Sequence, residues 1–480
     1  MTPPELIRRS ALELAAAIRS GEVSAAGVVE VHVERLVEFG WTKAIAFDRF
    51  AQAREEALEA DRRAREAGPD EELPPLLGVP CTIKESIAVA GMPNSAGVVA
   101  RAEHRAETTA PAAERFLATG AIQLGATNTS ELTMWVESEN RLYGRTRNPY
   151  DPRRTAGGSS GGEGAAVGSG GSPIGLGTDI GGSIRLPAFF NGVFGHKPTP
   201  GLVPNAGHFP PGPTGEAMKM LGLGPLARRA EDLMPVLRAI AGPDPDDPST
   251  SEIELGAPAA VDLAGMRVLV SEQASIVPAK REVRRARETA AAALEAAGAK
   301  VETAPFKSMR RVLELYLTAL REGAGTTARG LFENEGLEAP GVRTLLKRGG
   351  PHTVATRLML ASESLVRWVP ERRTRKLLAA GESLTREITD AIGDGVLLHP
   401  PFRRPAPRHG ATVGRPWVTN AASVFNLAGT PVTEIPLGLN RRGLPLGAQV
   451  VAAPGNDHVS IAVAMELERR LGGWVPPRTR

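Results

Sequence analysis

A segment dense in glycine lies near the middle of this 480-residue chain and limits the folds open to it. Of the 27 residues 157–183, 12 are glycine, a composition typical of flexible linkers. A solvated linker, however, would lack the apolar residues Ile174, Leu176 and Ile180. The segment also continues directly into residues 185–190, Arg-Leu-Pro-Ala-Phe-Phe, which the sequence predicts to be buried. We therefore expect the glycines to lie inside a folded domain.

Known glycine motifs fit this segment only in part. The phosphate-binding loop requires Gly-Lys-Ser/Thr, which is absent, and the dinucleotide pattern G-x-G-x-x-G fails because Ile180 takes the place of its last glycine. The nucleophile-elbow pattern G-x-S-x-G occurs twice, with Ser159 and with Ser160 at its centre. An elbow serine follows a hydrophobic strand, whereas residues 153–156, Arg-Arg-Thr-Ala, are a poor strand. An esterase of the α/β-hydrolase type is therefore the weaker alternative.

Segments typical of helices alternate with segments typical of strands along the chain, which favours a layered α/β fold. Residues 2–5, Thr-Pro-Pro-Glu, form a capping-box pattern, and we expect one helix from there to Gly21 and a second from Ser24 to Gly40. His196 is expected in a turn. Further helices are expected over residues 50–67, 225–242, 280–297 and 459–471, in the first part of 109–126, and over most of 308–380. Strands are expected at 122–125, 266–270, 301–302, 396–398 and 433–437, and after a loop within 76–84.

Composition and charge restrict the partners and the setting of the chain. Its net charge, 57 basic minus 54 acidic residues or +3, is too small to favour nucleic-acid binding. Cys81 is the only cysteine and is expected in the core, so neither a disulfide nor a multi-cysteine zinc site is predicted, and no metal or cofactor is expected. The first nine residues do not lead into an apolar run, and no stretch of about 18 apolar residues occurs. We therefore expect neither a signal peptide nor a transmembrane helix, and a cytoplasmic protein.

Several ordered strings of residues give the chain a resemblance to a known family. They are Gly-Gly-Ser-Ser-Gly-Gly-Glu-Gly at 157–164, Gly-Thr-Asp-Ile-Gly-Gly-Ser-Ile-Arg at 177–185, Gly-Val-Pro at 78–80 leading to Lys84, Ala-Thr-Asn at 126–128 with Glu131, Gly-His-Lys-Pro-Thr at 195–199, Gly-Thr-Pro at 429–431 and Gly-Leu-Pro-Leu-Gly at 443–447. On these motifs, which extend over most of the sequence, the chain resembles the amidase-signature family.

Three strings narrow the resemblance within that family. Gly-Gly-Glu-Gly at 161–164, Met-Pro-Asn-Ser at 92–95 and Pro-Ala-Phe-Phe-Asn-Gly at 187–192 are most similar to fatty-acid amide hydrolases, in particular the second vertebrate type. The fold that this resemblance implies is an α/β/α arrangement, in which a mixed twisted sheet is covered by helices on both faces. It implies a single domain over residues 1–480, with a mostly helical insertion or cap at about 308–380.

The resemblance also implies a role for individual residues. Ser183 would be the nucleophile, Ser159 a bridging serine held in a cis peptide, and Lys84 the general base. The backbone N–H groups that would form the oxyanion hole are those of Ile180, Gly181, Gly182 and Ser183. Thr133 would lie where the family places a loop carbonyl near the substrate. The residues expected to support this site are Ser160, Thr178, Asp179 and Arg185.

These residue types fit the chemistry of amide hydrolysis. A serine hydroxyl is a weak nucleophile until a base takes its proton, and a lysine can be that base only when burial keeps its amine neutral. The neighbours of Lys84 suit this role, because residues 76, 77, 79, 83, 87 and 89 are apolar, but Glu85 would have to point away. Asp179 and Arg185 flank Ser183, and we favour the interpretation that they brace its loop over that of an ordinary exposed pair.

A basic amphipathic stretch covers residues 343–376, which contain nine arginines and lysines. Such a stretch can lie on a membrane surface, and in the mammalian fatty-acid amide hydrolase the corresponding region resembles a membrane-docking cap. In that case Leu358, Leu360 and Trp368 would take part in peripheral membrane contact. A solvated helix pair with an inner apolar face is the interpretation that we favour.

The sequence therefore predicts a stand-alone amidase that acts on a small-molecule amide. The substrates would include fatty-acid or aryl amides and some esters, and the products would be an acid and ammonia or an amine. The second hypothesis is a glutamine-hydrolysing subunit of a transfer-RNA-dependent amidotransferase, which would work only in an assembly. The motifs shared with fatty-acid amide hydrolases favour the first hypothesis. A homodimer is left open.

Overall fold

The computed structural model describes residues 2–68, 71–212, 215–271, 278–304, 306–323, 327–334, 339, 349–366 and 370–479. The strands in these residues are β1 (Ile45–Asp48), β2 (Pro80–Lys84), β3 (Ile122–Thr127), β4 (Glu139–Asn140), β5 (Gly144–Arg145), β6 (Ile174–Asp179), β7 (Phe194–Lys197), β8 (Gly222–Ala227), β9 (Arg267–Ser271), β10 (Lys300–Ala304), β11 (Val396–His399), β12 (Val432–Leu439) and β13 (Pro445–Val451). The α-helices are α1 (Pro3–Arg8), α2 (Ala11–Arg19), α3 (Ala25–Glu38), α4 (Phe50–Glu66), α5 (Pro111–Ala118), α6 (Gly161–Ser169), α7 (Arg185–Asn191), α8 (Leu233–Ile240), α9 (Arg281–Glu295), α10 (Val312–Gly323), α11 (Ala328–Asn334), α12 (Val354–Val366), α13 (Glu371–Ile392), α14 (Asn420–Leu427) and α15 (Asp457–Leu471).

Within the described residues, 11 strands form one mixed sheet in the order β1-β3-β2-β6-β8-β7-β12-β13-β11-β9-β10. Strand β2 is parallel to both of its neighbours, β3 and β6, and β9 is parallel to β10 and β11. The remaining pairs in the sheet are antiparallel. The mixed sheet predicted from the sequence is therefore confirmed.

Helices cover both faces of this sheet. Successive residues of a strand point to opposite faces, and Val450 and Val451 of β13, like Leu398 and Leu397 of β11, belong to two separate apolar clusters. Side chains of α2, α3, α4, α5, α8, α9 and α15 complete the cluster of Val450 and Leu398. Side chains of α10, α13 and α14 complete that of Val451 and Leu397. The predicted α/β/α arrangement is present, and none of the described helices has the length and apolar character needed to span a membrane.

The N-terminal region contains two helices where one was expected. Helix α1 ends at Arg8, and α2 begins at Ala11 because Ser10 caps it. The Ser10 hydroxyl accepts a hydrogen bond from the Glu13 N–H at 3.0 Å, and the Glu13 carboxylate accepts one from the Ser10 N–H at 2.8 Å. This is a complete capping box, which satisfies the backbone donors of a new helix. The prediction that Ser24 starts a helix is confirmed, since its side chain accepts from the N–H of Gly27 at 3.0 Å.

Two further predictions were wrong, and both concern strands at the centre of the sheet. Residues 225–227, expected in a helix, belong to β8, which lies between β6 and β7, and the helix α8 begins only at Leu233. Gly224 allows this approach, because a Cβ there would lie 2.2 Å from the carbonyl oxygen of His196. His196 itself, expected in a turn, is buried in β7, where its ring contacts Thr433 and Asp457.

The segment 308–380 is mostly helical where it is described, in α10, α11, α12 and the first part of α13. Part of the basic stretch, including Trp368, lies outside the described residues. Leu358 is 38 % exposed, whereas Leu360 is fully buried in an apolar cluster. The membrane-contact alternative would require Leu360 to face lipid, whereas its side chain packs into the interior of the protein, as in a helix pair with an inner apolar face.

Candidate active site

The site is built around Lys84, the last residue of the interior strand β2. All five residues of β2 are buried, and no part of Lys84 is reached by solvent. Its Nζ lies 2.7 Å from the Oγ of Ser159 and 2.6 Å from the Oγ1 of Thr178. Ser159 belongs to the glycine-rich loop before α6, and Thr178 lies in the neighbouring strand β6. The sheet thus brings together three side chains that are 75 and 94 residues apart in sequence.

Burial lowers the pKa of Lys84 to about 7, although the carboxyl groups of Asp179, Glu163 and Glu85 act in the opposite direction. The amine is therefore uncharged in a substantial fraction of molecules near neutral pH, and it can accept a proton. Glu85 does not contact it, because its carboxylate accepts hydrogen bonds from the Ser95 N–H at 2.7 Å and the Ala96 N–H at 2.8 Å. The expectation that Glu85 points away from Lys84 agrees with these contacts.

The loop that carries Ser159 is held by hydrogen bonds on both sides. The peptide bond between Gly158 and Ser159 is cis. The carbonyl oxygen of Ser159 accepts from the hydroxyl of Ser138 at 2.8 Å and from that of Thr129 at 3.0 Å. A Cβ on Gly158 would lie 2.6 Å from the carbonyl oxygen of Trp135, so only glycine fits at this position. The position of the Ser159 hydroxyl beside Lys84 is thus set by the backbone around it.

Ser160 connects this loop with the segment that carries Ser183. The N–H of Ser160 donates to the carbonyl oxygen of Ser183 at 3.2 Å. The Ser160 hydroxyl donates to the carbonyl oxygen of Thr178, also at 3.2 Å. Ser183 is 7 % exposed, which makes it more accessible than Ser159 at 1 % and Ser160 at 0 %. Of the three serines, Ser183 is therefore the one that a molecule from solvent can reach most readily.

A buried ion pair braces the segment between β6 and α7. The Asp179 carboxylate accepts from the guanidinium of Arg185 at 3.0 Å through each of its two oxygens, and from the backbone N–H groups of Gly182 at 2.7 Å and Ile184 at 3.1 Å. Burial alone would raise the pKa of Asp179, but Arg185 and the other donors hold it well below its usual range. Asn426 on α14 joins the pair by donating to Asp179 at 2.9 Å and accepting from Arg185 at 2.6 Å.

The structure corrects the set of oxyanion donors expected from the sequence. The N–H of Gly182 is directed to Asp179 and is therefore not a free donor. The N–H groups of Gly181 and Ser183 have no acceptor within the described part of the chain. Side chains are excluded at both glycines, because a Cβ on Gly181 would lie 2.8 Å from the hydroxyl of Tyr316 and one on Gly182 would lie 2.7 Å from the Cβ of Ala422. Thr133 ends a single 3-10 turn (Glu131–Thr133), where it adopts a positive φ of 58°, and it is partly exposed.

Sequence reasoning missed Glu163, which is buried behind Lys84. Its carboxyl group accepts from the hydroxyls of Thr82 at 2.7 Å and Thr127 at 2.8 Å. Burial raises the pKa of Glu163 to about 8, although the two threonines and Lys84 oppose this shift. Gly175 provides the space, since a Cβ there would clash with the carboxyl group. The signal in the sequence is the acidic residue inside Gly-Gly-Glu-Gly, an unusual neighbour for so many glycines.

Two further side chains near the site were also missed. The Nδ1 of His208 lies 2.8 Å from the carbonyl oxygen of Pro210, and its Nε2 lies 3.2 Å from the hydroxyl of Ser86. Burial, and then the positive charge of Lys84, lower the pKa of His208 to about 3, so the ring is neutral. Tyr316 on α10 donates to the carbonyl oxygen of Ile180 at 2.9 Å. Neither residue lies in a recognisable motif, and each reaches the site from an element that is distant from it in sequence.

The arrangement provides the parts of an acid–base system and no metal centre within the residues described. Nowhere among them do three or more His, Cys, Asp or Glu side chains lie close enough together to hold a metal ion. What they do contain is an amine with a pKa of about 7, in hydrogen-bond contact with a serine hydroxyl. A second, more exposed serine lies on the adjoining segment, next to backbone N–H donors. A lysine of this kind can draw protons from hydroxyl groups.

Comparisons with known proteins agree with this class of site. A family model described as amidase matches residues 34–460. Fatty-acid amide hydrolase 2-B of Danio rerio is 41% identical, over 98% of this chain and 91% of that protein. A glutamyl-tRNA(Gln) amidotransferase subunit of Deinococcus deserti is 32% identical, over 96% of each chain. A solved structure of 6-aminohexanoate cyclic dimer hydrolase complexed with substrate has a TM-score of 0.82 at 26% identity, over 99% of each chain.

These likenesses define the protein as a hydrolase that acts on the C–N bonds of amides. The chain belongs to the amidase family, and specifically to the amidase-signature type that its motifs predicted. Its relatives include fatty-acid amide hydrolases of the second type, whose similarity extends over nearly the whole chain.

Proposed function

We propose that this amidase hydrolyses carboxylic amides through an acyl-enzyme on Ser183, with Lys84 as the base and Ser159 as the proton bridge. The observation that carries the proposal is the buried contact of 2.7 Å between the Lys84 amine and the Ser159 hydroxyl. A charged ammonium could only donate in such a contact, whereas the neutral amine favoured by burial can accept the proton that the reaction must remove.

The reaction begins when the neutral Lys84 takes a proton from Ser159, which takes one from Ser183. The Ser183 oxygen then forms a bond to the carbonyl carbon of the amide, and the negative charge moves to the carbonyl oxygen. Backbone N–H groups of Gly181 and Ser183 are suited to stabilise this charge, since one such donor is worth about 3–4 kcal/mol in a transition state. As the C–N bond breaks, the proton returns through Ser159 to the leaving nitrogen. Water then hydrolyses the ester on Ser183.

We infer that the acyl part of the substrate is apolar. An apolar cluster joins the loop next to Thr133 to the helices α11 and α12. Its buried members are Ala96, Val98, Leu132, Phe209, Phe332 and Leu360, and Met134 and Met359 pack against them. An apolar wall beside a loop of the site favours the binding of a hydrocarbon chain. The similarity to fatty-acid amide hydrolases supports the same substrate class.

The test is hydrolysis by the purified chain alone. We expect it to release ammonia from long-chain primary amides, and Ser183→Ala to abolish this release. Ser169→Ala is a control, because that serine is also buried but donates to the carbonyl oxygen of Ala166 on its own helix. A fluorophosphonate probe should label Ser183, and a label on Ser160 or on a serine outside 157–183 would disprove the assignment.

A component of an amidotransferase is the second candidate, because the Deinococcus deserti protein is 32% identical over nearly the whole chain. Glutamine has a short, charged acyl part, so a site with the apolar cluster beside one of its loops should prefer a fatty amide over glutamine. Release of ammonia from glutamine, with no turnover of long-chain or aryl amides by the isolated chain, would favour this candidate over the first.

A further inference from the structure

Tyr316 lies on helix α10 and contacts the catalytic segment through its hydroxyl group. The hydroxyl donates to the carbonyl oxygen of Ile180 at 2.9 Å, across 136 residues of sequence. The ring is 8 % exposed and packs in an apolar cluster with Val312 and Leu315. Burial, together with the negative charge of Asp179, raises the pKa of the phenol, which therefore stays protonated and remains a donor.

The acceptor of this hydrogen bond belongs to a peptide unit with a second function. The carbonyl of Ile180 and the N–H of Gly181 are the two ends of one planar peptide group, and they point in opposite directions. A donor fixed on the carbonyl oxygen therefore fixes the direction of the Gly181 N–H. It also polarises the peptide group, which makes the N–H a stronger donor.

This support matters because few other contacts hold the same peptide group. The next N–H along the chain, that of Gly182, is tied directly to Asp179 at 2.7 Å. No such bond within the described residues holds the N–H of Gly181. Gly181 also packs against Tyr316 so closely that a Cβ would lie 2.8 Å from the hydroxyl oxygen.

We propose that Tyr316 is a positioning residue that holds the peptide group between Ile180 and Gly181 in the orientation that stabilises the oxyanion. The inference rests on the proposed function, in which the Gly181 N–H donates to the carbonyl oxygen of the substrate during acylation. Tyr316 acts through that peptide group and not on the substrate. Helix α10 thus contributes to the catalytic site from the helical segment 308–380.

The variant Tyr316→Phe removes the hydroxyl and keeps the ring. Because the loss concerns one hydrogen bond that strengthens an oxyanion donor, we expect kcat for a long-chain amide to fall about tenfold. KM should change by less than about twofold, because the substrate in its ground state does not carry the charge. Affinity for a trifluoromethyl ketone with the same acyl chain, which forms an oxyanion adduct with the serine, should fall by the same factor as kcat. Affinity for the carboxylic acid product should not change.

Tyr150→Phe is the matched control, because its hydroxyl donates to the carbonyl oxygen of Val475, outside the site, at 2.6 Å. We expect kcat and ketone affinity of this control to equal those of the wild type. If Tyr316→Phe does not fold, 3,5-difluorotyrosine at position 316 keeps the hydroxyl and makes it a stronger donor. Ketone affinity should then rise at unchanged KM.

Three results would overturn the inference while the wild type remains active on amides. The first is an unchanged kcat and ketone affinity in Tyr316→Phe. The second is a rise in KM at constant kcat in the same variant, which would mean that the hydroxyl contacts the substrate. The third is an unchanged ketone affinity in the protein with 3,5-difluorotyrosine at position 316. A wild type that neither hydrolyses amides nor binds the ketone would instead contradict the proposed function.

Discussion

The side chains of Asp179 and Arg185 form a bidentate ion pair in which each carboxylate oxygen lies 3.0 Å from a guanidinium nitrogen, and solvent reaches neither side chain. Asp179 also accepts the N–H groups of Gly182 and Ile184, on either side of Ser183. The pair therefore fixes the backbone that presents the serine. Removing one partner leaves the other charge buried without compensation, which costs far more than the pair contributes.

We expect Arg185→Leu to lower the free energy of unfolding by about 3–5 kcal/mol and to reduce kcat because the Ser183 segment loses its anchor. Urea unfolding and steady-state kinetics measure the two effects. Arg154→Leu is a suitable control, because that arginine pairs with Asp151 nearer the surface, where an ion pair is worth at most about 1 kcal/mol. Equal losses of stability in the two variants would show that burial does not set the strength of the inner pair.

Replacing Asp179 changes how stability depends on pH. Its pKa in the folded protein lies below the ordinary value of 3.8, so its contribution to stability is complete above that value and is lost as the pH falls below it. Asp179→Asn should therefore be less stable than the wild type at pH 7, and the difference should shrink in strong acid. Thermal melting at pH 7 and pH 3 tests this sign, and a difference that grows on acidification would contradict it.

The pKa of about 7 for Lys84 predicts the pH dependence of the reaction. The base must be neutral, so kcat/KM should rise as the pH increases through about 7 and then level off. Lys84→Ala should be slowed most at low pH, because hydroxide can replace the missing base only as the pH rises. Lys300→Ala, a change at an exposed position on β10, should leave the profile unaltered. A wild-type rate that falls above pH 7 would require the lysine to act as an acid.

Glu163 should influence that profile through its charge. Its ionised carboxylate raises the pKa of Lys84, but with its own pKa near 8 the group is mostly protonated at pH 7. Glu163→Gln, which can retain hydrogen bonds with Thr82 and Thr127, should therefore move the midpoint of the profile only slightly, to lower pH. The carboxyl itself has a pKa raised from 4.5 to about 8, so its contribution to stability is complete below pH 4.5 and is lost as the pH rises toward 8. In Glu163→Gln, the free energy of unfolding should no longer show this decrease between pH 4.5 and pH 8. Glu295→Gln, on the exposed face of α9, should change neither property.

The sequence contained enough information for the motifs and the fold class, because glycine strings and alternating elements are local features. Lys84 and Ser159 could be named before their contact was known, and Ser24 was correctly assigned as a helix cap. The errors at Ser10 and at residues 225–227 have different causes. The Ser10 capping box was present in the sequence but was hidden by a continuous apolar spacing. Residues 225–227 do not form the expected helix, because β8 pairs with two strands that are distant in sequence, and this pairing determines the conformation of the segment.

Two supporting residues of the site could not be found in the same way. Glu163 and Tyr316 reach their partners across 81 and 136 residues of sequence, in contacts that only the assembled fold creates. Thr178 was named from the resemblance, but its contact with Lys84, across 94 residues, is visible only in the structure. The donor role expected of Gly182 was wrong for a related reason, since nothing local indicates that Asp179 turns back to accept its N–H. A motif names candidate reactive residues, while their protonation depends on the groups buried around them.

The glycines around Ser159 lead to a last prediction about why this loop tolerates no side chains. A Cβ on Gly162 would lie 2.3 Å from the backbone nitrogen and 2.4 Å from the carbonyl oxygen of Asn128, which follows strand β3 directly, and such backbone atoms cannot move aside as a flexible side chain can. Forcing a methyl group into a packed interior costs about 1–3 kcal/mol or more. Gly162→Ala should therefore lower the free energy of unfolding by at least that amount, measured in urea. It should also reduce fluorophosphonate labelling, because Gly162 lies three residues after Ser159.

Gly40→Ala is the control, since nothing lies within 4 Å of its added Cβ, and we expect a change of less than about 1 kcal/mol in the free energy of unfolding. Equal stability of the two variants would mean that the loop can shift away from Asn128, and that close packing does not hold Ser159 beside Lys84.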